Sequence, residues 1–88
     1  RCTDEHLGGN RLQAARSCLD AWQALSPGDS LLPAARRRLA QRWLAVGSER
    51  LGAGDTAFAA RALEQARQLD AATPELPAFA ERVGNAKR

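Results

Sequence analysis

Two cysteines, one histidine and a knot of four arginines are the side chains with most chemistry to offer in this chain. Cys2 and Cys18 flank the turn-forming stretch Gly8-Gly9-Asn10, Cys2 eight residues before Asn10 and Cys18 eight after it. In an antiparallel helical hairpin, residues equidistant from the turn lie at the same height, so the two thiols are expected to face each other. Helix axes come within about 8–10 Å at close contacts, and a disulfide needs Cα atoms less than ~7 Å apart. Closing a loop of this length would stabilise the hairpin by about 3 kcal/mol on the chain-entropy account. A bridge would also place the protein in an oxidising compartment, the periplasm or cell exterior. The competing reading is two buried thiols acting as small apolar side chains in a cytosolic protein.

Other reactive constellations are missing. Two cysteines and one histidine fall short of the four ligands of a structural zinc site. His6 has only Asp4 and Glu5 beside it at a helix end or turn, where a general base would need a partner held in geometry. Ser17, Ser26, Ser30 and Ser48 have no histidine or lysine around them that reads as a triad. Gly52-Ala53-Gly54-Asp55 is glycine-rich, yet it joins two helical segments and lacks a phosphate-loop lysine. The expectation is a non-catalytic protein with no metal and no cofactor.

The arginines Arg36, Arg37, Arg38 and Arg42 concentrate the positive charge of a chain whose formal net charge is +3. Such a cluster can track nucleic-acid phosphates or an anionic membrane surface. A charge of +3 is small beside that of strongly basic nucleic-acid-binding domains. The four are therefore expected to form the solvated face of a long helix and, if they have a partner, to meet an acidic surface. Trp22 and Trp43 fall on apolar stripes and are expected in the core, although the open end of a helical stack could present either to a partner.

The elements that position these residues are helices. Alanine is abundant and β-branched residues are scarce, which favours helix over strand. Strong turn signals fall at 8–10 and 52–55, and proline with helix-start residues at 26–30 and 72–75. Between them, Leu12, Ala15, Leu19 and Trp22 form one apolar row, with Ala14, Cys18, Ala21 and Leu25 beside it. Leu32, Ala35, Leu39, Trp43 and Val46 form a second stripe in a helix over about 31–51, ~30 Å long. Pro33 is tolerated in its first turn after Asp29 or Ser30. A third helix is expected over 56–70. A short fourth is expected from Pro74, capped by Thr73, to 83, with 84–88 as a frayed tail. No apolar run approaches the ~20 residues of a membrane span.

Shifted by 45 residues, the sequence matches itself at Gly9 and Gly54, Asn10 and Asp55, Ala14 and Ala59, Ala15 and Ala60, and Arg16 and Arg61. Ala21 and Ala66, Gln23 and Gln68, and Leu31 and Leu76 extend the match. A period of this size signals stacked helical hairpins. In this register Gly47 and Leu63 are the counterparts of Cys2 and Cys18, a glycine opposite a larger apolar residue at a close helix approach.

The stretch 42–70 resembles a tetratricopeptide repeat, with Trp43 and Val46-Gly47 in its first helix, Gly54-Asp55 at the turn, and Ala59 and Ala66 in its second. Residues 8–29 show the later half of the same pattern, with Ala14 and Ala21 at the small positions and Pro27 closing the repeat. Without the family's peptide-clamp signature, the resemblance implies a protein-binding scaffold within a bacterial envelope or signalling protein. The expected architecture is all-α: hairpin 1 over about 1–26, truncated at its start, hairpin 2 over about 30–70, and a capping helix over about 74–83. The chain opens on Arg1 and lacks methionine, as a piece of a longer protein would. The expected role is protein–protein interaction or scaffolding. The alternatives are a nucleic-acid or anionic-surface binder using the basic helix face, and a structural spacer or repeat cap.

Overall fold

A computed structural model describes residues 11–87 as four helices: α1 (Leu12–Leu25), α2 (Leu32–Gly52), α3 (Thr56–Leu69) and α4 (Leu76–Ala86). The fold is all-α. The first helix expected for hairpin 1, with Cys2 and His6, lies outside the described residues. Among the described residues no helix is long and apolar enough to cross a membrane.

The turn between α2 and α3 follows from two residues. Gly54 takes a positive φ of 93°, which only glycine adopts without cost. The Gly54 N–H then donates to Leu51 O at 3.0 Å and the Asp55 N–H to Arg50 O at 2.8 Å, satisfying carbonyls left open at the end of α2. Asp55 next caps α3, its Oδ1 accepting from the Phe58 N–H at 3.0 Å.

The other two turns are copies of each other. In the first, Ser26 N–H donates to Trp22 O, Asp29 N–H to Ser26 O and Leu32 N–H to Asp29 O. In the second, Asp70 N–H donates to Ala66 O, Thr73 N–H to Asp70 O and Leu76 N–H to Thr73 O. The steps from 26 to 70, 29 to 73 and 32 to 76 are each 44, so the repeat is 44 residues, not the expected 45. Leu32-Pro33-Ala34 and Leu76-Pro77-Ala78 are identical in this register. Both prolines occupy the first helical turn, where a missing N–H costs nothing.

Two boundaries differ from expectation for related reasons. Thr73 does not cap α4; it is buried at 2% exposure, and its Oγ1 donates to Asp70 O at 2.7 Å. The helix starts at Leu76 instead, with Pro77 in the first turn, and continues to Ala86 through the stretch expected to fray. Before α2, Asp29 accepts from the Leu31 N–H at 2.9 Å, and Leu31 is the residue that precedes the helix.

The core runs through all four helices, with Leu12, Ala15 and Leu19 of α1, Leu39, Ala40 and Trp43 of α2, and Phe79 and Val83 of α4. α3 contributes Ala59, Ala62 and Ala66, each fully buried. Three small side chains one turn apart let the α2 backbone approach closely, and Gly47 takes the tightest point. The Trp43 ring stacks over Phe58 with centroids 6.0 Å apart. In α1 only one of the two expected apolar rows is inside: Ala21 is exposed and Leu25 is 85% exposed.

Candidate interaction surface

The structure separates the arginines expected to share one solvated face. Arg36 reaches across to the C-terminal end of α3, where its Nε donates to Leu69 O at 2.7 Å and its Nη2 to Gln68 O at 3.0 Å. Its Nη1 donates to Gln23 Oε1 on α1. One side chain therefore links three helices and fills carbonyls at the negative end of a helix dipole. Arg37 forms an ion pair with Asp70 just beyond α3. Arg36 and Arg37 are thus structural ties, which corrects the solvated-face expectation for both. Arg38 is exposed and Arg42 half-buried.

The carboxyls at these turns are tuned by their partners. Asp70 is held below the ordinary carboxylate range by the Arg37 hydrogen bond, against an opposing effect of burial, with further help from the Ala72 N–H. Asp29 is lowered by the Leu31 N–H and then by the Trp22 indole, whose Nε1–H donates to Oδ2 at 2.9 Å. Trp22 is half-buried and fixed by that bond, while Trp43 is in the core. Neither tryptophan stands open as a free aromatic anchor.

The open surface lies elsewhere, between α2 and α4. A groove there is lined by Gln41, Leu44, Ala45 and Ser48 from α2 and by Glu75, Ala78, Phe79 and Arg82 on the other side. Arg82 Nη1 donates to Ser48 Oγ at 2.6 Å, and Gln41 Nε2 to Glu75 Oε1 at 3.4 Å. Buried Leu44 and Phe79 form its apolar floor. Along α2, Ala34, Arg38, Gln41 and Ala45 follow one another at spacings of 4, 3 and 4, which places them on one row. In the 44-residue register, Ala78, Arg82 and Asn85 repeat that row on α4. The signal was present in the sequence, but the 45-residue register hid it.

Cys18 is half-buried on α1, while its expected partner Cys2 lies outside the described residues. Gly47 does not face Leu63, as the expected register had it; it faces Ala62 and the Phe79 ring. Among the described residues no group of three or more histidine, cysteine or acidic side chains could hold a metal ion. Comparison with protein families, with characterised proteins and with solved structures finds no match to this chain.

Proposed function

We propose that this domain is a protein-interaction module, non-catalytic, that presents successive helix faces to a partner chain or to neighbouring repeats. The observation that carries the reading is the duplicated row on α2 and α4. The Ala-Arg-carboxamide series at Ala34, Arg38 and Gln41 recurs at Ala78, Arg82 and Asn85, and of these Gln41, Ala78 and Arg82 line the groove. A groove with an apolar floor and a polar rim suits a peptide segment, since floor contacts give affinity and rim groups fix register. The engagement of Arg36 and Arg37 within the fold favours this reading over nucleic-acid binding, because it takes two of the four clustered arginines away from phosphates. The paired-helix repeat supports a tetratricopeptide-like organisation. A Cys2–Cys18 bridge and an extracytoplasmic location complete the proposal.

A peptide library selected on the domain tests it. Peptides that bind the wild type should lose binding to a variant carrying Ala45→Arg and Ala78→Arg, which fills the groove from both walls. They should keep binding to Ala57→Arg, an exposed substitution on α3. Selected peptides indifferent to the groove variant would place the interaction elsewhere.

A further inference from the structure

Leu25 and Leu31 are the two exposed large hydrophobic side chains among the described residues, at 85% and 65% exposure. The 44-residue register identifies what each would touch. Leu25 corresponds to Leu69, which is only 2% exposed. Leu69 lies in a groove with Pro33, Ala34, Arg36 and Arg37 from the first turns of α2, and Arg36 holds its carbonyl. Leu31 corresponds to Glu75, which accepts from Gln41, further along the same helix α2. In the second hairpin the single helix α2 thus buries Leu69 and, about two turns on, touches Glu75, which stays exposed. No described helix takes the equivalent place beside α1.

The far end of the stack is built differently. On α4 the counterparts of Arg36, Ala40 and Trp43 are Ala80, Gly84 and Lys87. Gly84 and Lys87 are exposed and small or charged, a surface finished for water. Among the described residues, only the α1 end leaves leucines open.

We propose that Leu25 and Leu31 form the docking surface for an amphipathic helix running antiparallel to α1, with an apolar first turn and an arginine one turn later. That is the chemistry with which α2 covers the end of α3. The surface is separate from the α2–α4 groove, so the proposal stands independently of the function assigned to it.

The test uses a synthetic peptide of residues 30–44, which carries the covering chemistry of α2, titrated into the labelled domain. Saturable amide shifts centred on Leu25 and Leu31, with at least tenfold weaker binding to Leu25→Arg, are the expected result. Leu25 is exposed, so this variant should fold as the wild type does. Absence of binding, or equal binding to Leu25→Arg, overturns the proposal. Self-association of the domain that Leu25→Arg abolishes, without any peptide, would also overturn it by assigning the surface to a second copy.

Discussion

Gly47 of α2 faces Ala62 of α3 so closely that a methyl group on Gly47 would lie 2.7 Å from the Ala62 Cβ and 3.0 Å from the Phe79 ring. Real carbon atoms do not approach that closely, so any side chain here must push α2 away from both neighbours. The glycine exists for packing. Its backbone is ordinary helix, with no positive φ.

Gly47→Ala is therefore expected to destabilise the domain even though alanine is the better helix former. Overpacking costs about 1–3 kcal/mol, and removing a mid-helix glycine returns roughly 0.5–1 kcal/mol. A net loss of about 1–2 kcal/mol should appear in urea melts. Adding Ala62→Gly should recover part of it, because that change removes the nearest obstructing atom. An unchanged midpoint for the single variant would refute the close approach.

Ala59 belongs to the same stripe and is fully buried. Ala59→Leu should cost about 1–3 kcal/mol by forcing extra methylenes between α2 and α3. A far milder effect from Ala57→Leu, exposed two residues away, would show that the loss comes from the interface and not from helix propensity.

Arg36→Gln should be costly for an arginine on a helix surface. Its two bonds to the Leu69 and Gln68 carbonyls are charge-assisted, and losing them should cost about 1–2 kcal/mol. Arg67 is the contrast. It pairs with Glu64 one turn away, with both side chains about half exposed, and such pairs contribute a few tenths of a kcal/mol. Equal urea midpoints for Arg36→Gln and Arg67→Gln would show that Arg36 is not a tie.

The four helices were legible in the sequence because apolar stripes and turn residues mark each of them, although α4 begins two residues later and ends three residues later than expected. The register was not. In Ala14-Ala15-Arg16 a slip of one residue keeps an alanine match, so the alanine-rich segment aligned at 45 while the turns require 44. The copied Leu-Pro-Ala at 32–34 and 76–78 could have fixed it. The arginine roles were illegible for another reason. A long flexible side chain reaches well beyond its own helix, and nothing in a helical pattern reveals that a neighbouring C-terminus lies within range. Leu25 shows the converse: its spacing marks it as core, yet among the described residues no helix covers it and it is 85% exposed.

The lowered carboxyls make stability sensitive to acid. A group whose folded pKa lies below its unfolded value stabilises the fold above the unfolded pKa, and that contribution disappears as pH falls through the folded pKa. Asp70 and Asp29 are both shifted this way. The urea midpoint should therefore hold near neutrality and decline as pH falls below about 4, the ordinary aspartate value. Asp70→Asn should be less stable at neutral pH, and its decline in acid should be shallower. Parallel curves for the variant and the wild type would mean that Asp70 carries none of the dependence.

The last prediction concerns the cysteines. In the 44-residue register Cys18 corresponds to Ala62, since 18 + 44 is 62, and Ala62 is where α3 meets Gly47. Cys18 thus takes the register position that Ala62 holds at the tightest point of the second hairpin. The counterpart of Gly47 is Thr3, because 47 − 44 is 3, and Cys2 is its neighbour in sequence. Consecutive Cα atoms lie ~3.8 Å apart, so the 44-residue register does not by itself pair Cys2 with Cys18, and the expected bridge rests on their equal spacing from Asn10. Protein expressed in an oxidising compartment and purified without reductant should therefore carry an intramolecular disulfide. Intact mass after alkylation should show no added label until a reductant is supplied, and then two. Reduction should lower the stability of α1 more than that of α2 and α3, measured by amide hydrogen exchange, because only the first hairpin loses a closed loop. Two thiols open to alkylation before reduction would remove both the bridge and the argument for an oxidising compartment.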